Sequence, residues 1–296
     1  MMDFQLEQLR TFLAVIESGT FDAAARALNV TPSAISQRIK ALETGTGRVL
    51  LRRSKPAEAT ESGEVVLRLA RQLSLLEDDA LSTLRGDGDG RRVRLPIVVN
   101  ADSLATWMPA ALAAMPPELG ASFEIYREDE GHSIGLLRNG TAMGAVTSVA
   151  DPVQGCTVRR LGRMRYEPMA TPEFVARWFP DGVTADALAR APLVAFDRKD
   201  TMQDRYLKRR SRRALNPPRH FIPASAEFAS VVALGLGWGM LPELQSAARA
   251  ESGALVVIEA GAHIDVPLYW QRWNLQSPVL AALSATVASA ASGALR

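Results

Sequence analysis

Four polar residues near the N-terminus are spaced so that they would share one face of a helix. They occupy positions i, i+3, i+4 and i+7, while apolar residues of the same segment fall on another face. Serine hydroxyls and a glutamine amide are groups that can meet base edges in the major groove of DNA. The spacing therefore predicts a helix that reads base sequence. This polar stripe consists of Ser33, Ser36, Gln37 and Lys40, and the apolar face of Ile35, Ile39 and Leu42.

Positive charge is concentrated around and after the polar stripe. Between positions 38 and 55 the only acidic residue is Glu43. Such a basic cluster suits contacts with phosphates, which fix the register of a protein on the duplex. Judged on charge alone, an ordinary solvated helix beside a basic loop is the better interpretation, and only the order of the surrounding elements favours DNA binding. The cluster consists of Arg38, Lys40, Arg48, Arg52, Arg53 and Lys55.

Residues for other chemistries are missing or badly spaced. The three histidines are far apart in sequence and Cys156 is the only cysteine, which argues against a zinc site and against a disulfide within the chain. The GLGWG segment at 235–239 lacks the strand, turn and acidic residue of a nucleotide fingerprint. We find no nucleophile beside a base, so the sequence predicts no catalytic residue, no metal and no cofactor.

The elements that must position the polar stripe are three short helices and a wing. Apolar residues recur every three or four positions from Leu6 to Ile16, and a second helix follows from Phe21. Thr31 can cap a third helix, and Pro32 suits its first position. We expect that helix to end near Glu43 and residues 48–60 to form a short β wing.

Residues 61–84 are predicted to form one long helix with an apolar stripe. Its spacing alternates between three and four residues, which favours pairing of two such helices; packing on its own chain is the alternative. The GDGDG run at 86–90 breaks the helix and reads as a hinge. The stripe consists of Val66, Leu69, Leu73, Leu76 and Ala80.

Strand and helix patterns alternate from Val93 to the end, which predicts a mostly parallel α/β sheet built in two units. The 296 residues suffice for more than one core, and the formal net charge of +2 is too small to identify a nucleic-acid partner. No secretory signal and no apolar run of about 20 residues is present, so we expect a soluble, cytoplasmic protein without membrane contact.

The order of helix, turn, Thr-Pro helix and basic wing resembles the DNA-binding domain of the LysR-type transcriptional regulators. The agreement extends in register over about 60 residues and includes Thr60 and Gly63 at the start of the long helix. The wing departs mildly from the usual family pattern, since it reads Leu51-Arg52-Arg53. Matching residues include Leu9-Arg10-Thr11-Phe12, Gly19-Thr20-Phe21, Ala24-Ala25, Thr31-Pro32-Ser33-Ala34-Ile35-Ser36, Leu42-Glu43 and Leu50-Leu51.

The resemblance implies a fold and a set of partners. It implies a winged helix-turn-helix at 1–61, a linker helix and hinge at 62–90, and a periplasmic-binding-protein-like effector domain at 91–296. We expect subdomain I at about 91–165 and 265–296, and subdomain II at about 166–264. Homodimers or homotetramers, an operator in double-stranded DNA and RNA polymerase are the implied partners. The residues expected to contact DNA are Thr31, Ser33, Ala34, Ser36, Gln37, Arg38, Lys40, Arg52 and Arg53.

The C-terminal part narrows the resemblance to the LysG/ArgP branch of that family. The segments that carry it are 100–107, 128–133, 136–138, 144–147, 235–243 and 267–273. In that branch the effector is a basic amino acid, namely lysine, arginine or histidine, and the regulated genes include a basic-amino-acid exporter. Activation in the presence of the effector is the implied response.

Hydroxyl and acidic residues at strand ends are the predicted effector contacts. A helix that opens near Ser103 offers free amides to a carboxylate, and the acidic run at 128–130 could pair with a distal cation. A helix cap or solvated loop is the alternative for each residue. The predicted effector contacts are Ser103, Thr106, Trp107, Glu128, Asp129, Glu130, Thr147, Asp197, Asp200 and Ser225.

Competing functions remain open at this point. A LysR-type regulator with another effector would share every pattern above. A cytoplasmic solute-binding protein would fit the α/β units but not the N-terminal helices. An architectural DNA protein would bind with weak sequence preference and steep salt dependence, which the polar stripe argues against. An enzyme would need reactive groups that the sequence does not present.

Overall fold

The computed structural model describes residues 4–85, 93–127 and 130–296, with the backbone alone for 82, 83, 85 and 130–132. The hinge predicted at 86–90 and the predicted contacts Glu128 and Asp129 lie outside the described residues. The N-terminal part is helical with a small wing, and the part from Val93 onward is α/β.

Three helices enclose the N-terminal core. They are α1 (Leu6–Ser18), α2 (Phe21–Ala27) and α3 (Pro32–Thr46). Gly19 ends α1 in the left-handed region at φ 70°, and the next residue, Thr20, caps α2. The Thr31 hydroxyl accepts a hydrogen bond of 3.2 Å from the Ala34 amide and so caps α3, as the sequence predicts. Helix α3 continues three residues past the expected end at Glu43, up to the left-handed Gly47.

The predicted wing is a two-stranded antiparallel ribbon of β1 (Leu51–Arg52) and β2 (Glu58–Ala59). The carboxylate of Glu43 accepts hydrogen bonds from the Leu50 and Leu51 amides, at 2.9 and 3.3 Å. These bonds tie the last turns of α3 to the first strand of the wing. The single acid within the basic cluster therefore has a structural use.

The predicted long helix is α4 (Glu61–Arg85). Its first turns pack on the N-terminal core, where Val66 is 5% exposed and Leu67 and Ala70 are buried. The expected pairing stripe is therefore corrected at Val66, which contacts its own chain. Leu69 and Leu73 also pack partly against that core, whereas Leu76 is 36% exposed.

The middle of α4, from Arg68 to Leu75, docks on the α/β part of the same chain. Leu75 is buried in the large core there, at 2% exposure. The Arg71 guanidinium donates to the Asn139 carbonyl oxygen at 3.1 Å and to the Thr141 hydroxyl at 3.0 Å. Arg68 donates to the Gln154 carbonyl oxygen. The long helix thus contacts both the N-terminal helices and the α/β part.

A seven-stranded sheet organises the α/β part. Its path is β10-β6-β11-β5-β3-β4, with β9 paired to β6. The sheet is mixed rather than mostly parallel, because β6 and β11 are long and antiparallel to each other, while β3, β4 and β5 pair in parallel. The strands are β3 (Val93–Val98), β4 (Ala121–Tyr126), β5 (Gly144–Thr147), β6 (Cys156–Ala170), β9 (Gly239–Pro242), β10 (Val256–Val257) and β11 (Ile264–Trp273).

A second parallel pair and nine helices complete this part among the described residues. Strands β7 (Leu193–Ala195) and β8 (Arg219–Phe221) pair in parallel, and β7 lies next to β9. The helix expected to open near Ser103 is interrupted at Thr106 and continues as a second helix. The helices are α5 (Ala101–Ala105), α6 (Met108–Ala113), α7 (Glu130–Arg138), α8 (Pro172–Trp178), α9 (Ala185–Arg190), α10 (Met202–Arg210), α11 (Ser225–Ala233), α12 (Glu243–Glu251) and α13 (Pro278–Ala294).

Candidate functional site

The polar stripe lies on the outer face of α3. All four of its side chains are exposed, whereas Ile35, Ile39 and Leu42 on the inner face are at most 2% exposed. Burial of these three apolar side chains fixes the rotation of the helix about its axis. As a result Ser33, Ser36, Gln37 and Lys40 face solvent together, as a base-reading helix requires.

Other predicted DNA contacts have partners within the N-terminal domain. Arg38 forms an ion pair of 3.1 Å with Glu7 and lies within 3.5 Å of the Thr11 hydroxyl, both on α1. Ser36 donates back to the Pro32 carbonyl oxygen at 3.1 Å. Thr31 and Ala34 are the two ends of the cap described above. Arg38 and the cap therefore also position α3 on its own domain.

The wing presents two exposed arginines beside the helices. Arg52 and Arg53 are both exposed, and the Arg53 guanidinium lies 5.7 Å from the centre of the Phe21 ring on α2. This cation–π contact holds one arginine near the N-terminus of α2 and leaves its donors available to a phosphate.

Two substitutions separate base reading from phosphate binding. If Gln37 reads a base edge, as its place on the polar stripe predicts, Gln37→Ala is expected to lower the preference for operator over random DNA by about 1–3 kcal/mol. Arg53→Ala is expected to weaken binding to all sequences and to reduce the salt slope by about one. Titrations of both DNAs at several salt concentrations measure both effects. Equal loss on both DNAs for Gln37→Ala would remove that residue from base reading.

A cavity of about 980 Å³ opens where parallel strands end. Residues that follow β3, β4, β5, β7 and β8 line it, as ligand sites in open α/β sheets are arranged. Its wall carries both signs of charge. Among the described lining residues, the acids are Asp102, Asp197, Asp200 and Asp265; the cations are Arg127, Lys199 and Arg205; and the neutral polar residues include Asn100, Ser148, Tyr166 and Gln245.

A hydrogen-bond network centred on Asp102 joins four elements, namely α5, β6, α11 and α12. Its carboxylate accepts from the Tyr166 hydroxyl on β6 at 2.7 Å and from the Ser225 hydroxyl on α11 at 2.6 Å. The Gln245 amide on α12 donates to the Ser225 oxygen at 2.7 Å. Burial raises the pKa of the Asp102 carboxyl, against the opposite effect of the two hydroxyl donors. Through these bonds α5 is held to β6 and α11, and through Ser225 to α12.

The other three acids of the cavity wall are already satisfied. Asp197 accepts from the Lys199 and Asp200 amides at 2.7 and 2.9 Å. Asp200 accepts from the Phe196 and Met202 amides, both at 2.9 Å. Asp265 forms a two-bond ion pair with Arg165, at 2.8 and 3.0 Å, and this arginine lowers the pKa of the Asp265 carboxyl.

The predicted effector contacts fall into three groups. Asp197 and Asp200 line the cavity, and Ser225 reaches it through Asp102. Ser103 and Thr147 are buried next to lining residues; the Ser103 hydroxyl has no hydrogen-bond partner, and Thr147 accepts from the Val149 amide.

Three further predicted residues have other environments. Trp107 is 4% exposed in the main core, and the Thr106 hydroxyl donates to the Asp102 carbonyl oxygen at 2.6 Å. The backbone of Glu130 begins α7.

Several lining residues were missed by sequence reasoning. Tyr166, Gln245 and Asp265 lie in the middle or at the start of regular elements, where the alternation of strands and helices gives no signal for them. Arg127 directly follows β4, so its position at a strand end was the available clue.

Two absences hold for the described residues. No group of three histidine, cysteine or carboxylate side chains there could hold a metal ion. Within the same residues, none of the helices combines the length and the apolarity needed to cross a bilayer.

Comparison with known proteins places both parts of the chain in one family. Residues 6–64 match the bacterial regulatory helix-turn-helix proteins of the LysR family, and residues 88–292 match the LysR substrate-binding domain. The transcriptional regulator LysG of Mycobacterium tuberculosis is 48% identical over 298 residues, which cover 100% of this chain and 97% of LysG.

Solved structures agree with the sequence match. ArgP from Mycobacterium tuberculosis superposes with a TM-score of 0.92 at 46% identity, over 99% of both chains. Full-length LysG from Corynebacterium glutamicum with bound effector Arg gives 0.85 at 39% identity, over 99% of this chain and 100% of that one. The winged helix-turn-helix, the linker helix and the α/β domain with its cavity therefore belong to a DNA-binding transcriptional regulator of the LysR family, in its LysG/ArgP branch.

Proposed function

We propose that the protein binds a basic amino acid in the strand-end cavity and that this binding changes how it engages its operator. The effector is lysine, arginine or histidine, and the regulated gene encodes an exporter of basic amino acids. The effector activates transcription through contact of the DNA-bound protein with RNA polymerase. The protein performs no catalysis and uses no cofactor other than this effector.

One observation carries the proposal: the cavity wall combines four aspartates with three cations. An amino acid brings a carboxylate and an ammonium, and a basic one adds a distal cation, so both signs of charge are needed in its site. The solved structure of LysG from Corynebacterium glutamicum with bound effector Arg supports the same ligand class.

We assign the parts of the chain as follows. Residues 1–61 bind DNA, 62–90 form the linker helix and hinge, and 91–296 bind the effector. Subdomain I comprises about 91–165 and 265–296, and subdomain II comprises about 166–264. Thr31, Ala34 and Arg38 position the reading helix; Ser33, Ser36 and Gln37 read bases; Lys40, Arg52 and Arg53 contact phosphates.

The effector site needs a similar assignment. Asp197 and Asp200 shape the loop at the cavity, and Ser225 orients Asp102. Ser103 and Thr147 support the wall from behind. We place Thr106 and Trp107 in a supporting role, since one holds the Asp102 backbone and the other lies in the core.

Self-association follows from the outer face of α4. Val65 is 60% exposed, Leu76 36% and Leu84 82%, and apolar side chains of this size favour burial against another surface. We propose that two such helices pair in a homodimer and that dimers form a homotetramer, so that one assembly spans two half-sites.

The test uses the purified full chain and DNA. Selection from a random duplex pool is expected to enrich an imperfect palindrome, and footprints on that DNA are expected to change with lysine or arginine but not with leucine. No enriched sequence would contradict the DNA assignment. An enriched sequence whose footprint ignores all basic amino acids would contradict the effector assignment alone.

A further inference from the structure

We propose that Asp102 is the residue that pairs with the α-ammonium group of the effector and so makes the cavity selective for free amino acids. The inference rests on the proposed function, because it assigns a role within the same cavity. Asp102 lies in the segment 100–107 that resembles the LysG/ArgP branch, but it is not among the effector contacts predicted from the sequence.

Among the described acids of the cavity, three have partners that already offset their charge or fill their acceptor positions. The carboxylates of Asp197 and Asp200 are each held by two backbone amides, and that of Asp265 by Arg165. Asp102 differs, since its hydrogen-bond donors are two neutral hydroxyls. In the described part of the chain it has no ion-pair partner.

The surroundings of Asp102 disfavour its negative charge. A desolvated carboxylate without a cation is costly, and the nearby charge of Asp200 adds to that cost. Both effects raise the pKa of the Asp102 carboxyl. A ligand that brings a positive charge to this carboxylate would remove the cost, whereas a neutral or anionic ligand would not.

Two hydrogen-bond acceptors on the cavity wall have no donor. The Asn100 Oδ1 and Gln245 Oε1 atoms are buried without a hydrogen-bond partner, and both residues line the cavity. The Ser225 hydroxyl donates its proton to Asp102, so the Ser225 oxygen must accept from the Gln245 amide nitrogen. This fixes which end of the Gln245 amide is nitrogen and which is oxygen. Buried acceptors of this kind call for a ligand that donates.

A primary ammonium matches this set of acceptors. It offers three donors and no acceptor, which fits one carboxylate and two amide oxygens. The α-ammonium is the group that lysine, arginine and histidine share. The exposed cations Arg127, Lys199 and Arg205 on the same cavity are suited to the adjacent α-carboxylate.

The test compares lysine with 6-aminohexanoate, which is lysine without its α-amino group. Calorimetric titration of the full-length Asp102→Asn variant is expected to show lysine bound at least about tenfold more weakly than by the unaltered protein, as loss of a charged hydrogen-bond pair predicts. Binding of 6-aminohexanoate, followed at millimolar concentration, is expected to change by less than about threefold. The discrimination between the two ligands should therefore collapse.

Two results would overturn the assignment. Lysine bound as tightly by Asp102→Asn as by the unaltered protein would remove Asp102 from the contact. Loss of both ligands by the same factor would mean that Asp102 only supports the structure or faces the distal group. If Asp102→Asn does not fold, as judged from its thermal unfolding, Asp102→Ser provides the same comparison without the charge.

Failure of the proposed function has a different signature. In that case the unaltered protein itself would bind no basic amino acid. A protein that binds lysine and whose Asp102 variant binds it equally well would contradict the assignment of Asp102 and leave the proposed function in place.

Discussion

Replacing Gly63 with alanine is expected to separate the wing from the linker helix and to abolish high-affinity DNA binding. A Cβ atom at this position would lie 2.0 Å from the Leu50 carbonyl oxygen and 3.3 Å from the Ala59 side chain. The same carbonyl accepts from the Thr60 amide at 3.0 Å, so it cannot withdraw without breaking the start of α4. We expect the free energy of unfolding to fall by about 3 kcal/mol or more.

The measurement is urea unfolding together with DNA affinity, and the matched control is Gly45→Ala. Gly45 lies inside α3, and no atom is within 4 Å of where its Cβ would be. That change is expected to leave folding intact or to stabilise it by up to about 1 kcal/mol, since alanine favours a helix. Equal stability of the two variants would show that the close approach of Gly63 to the wing is not required.

Leu75→Ala is the second change with a large expected effect, because Leu75 anchors the linker helix in the core of the effector domain. The Leu75 side chain is 2% exposed. Its truncation is therefore expected to lower the free energy of unfolding by about 2–5 kcal/mol, as truncation of buried leucines does. The hydrogen bonds from Arg68 and Arg71 to the α/β part would then no longer be backed by a buried apolar contact. We expect the effector to lose its influence on DNA binding while the cavity still binds it.

Thermal unfolding and effector-dependent DNA titrations measure this prediction. Leu234→Ala is the control, because Leu234 is 84% exposed, and such a surface change is expected to stay within about 0.5 kcal/mol. A Leu75 variant with unchanged stability and an unchanged effector response would show that this docking does not transmit the signal.

Local chemistry made the N-terminal domain predictable. Thr31 and Pro32 specify where α3 begins, and the apolar spacing of Ile35, Ile39 and Leu42 specifies which face is buried. Val66 shows the limit of such patterns, because the same apolar spacing serves pairing with another helix or packing on the same chain. Only the three-dimensional contacts distinguish the two.

The effector domain was predictable in its class but not in its sheet. The alternation of strands and helices indicated α/β structure, yet β6 and β11 run antiparallel over ten residue pairs between Tyr166 and Trp273. Such an alternation does not specify in which direction neighbouring strands run, and β6 is buried only toward its C-terminal end. The Asp102 network was equally hidden, since Tyr166 and Ser225 are 64 and 123 positions away in sequence.

Calorimetric titration of the full chain with lysine, arginine, histidine and leucine tests the central claim most directly. The cavity with its four aspartates predicts saturable binding of at least one basic amino acid and no binding of leucine. No heat from any of the three basic amino acids would contradict the effector assignment, and heat from leucine equal to that from lysine would contradict its selectivity.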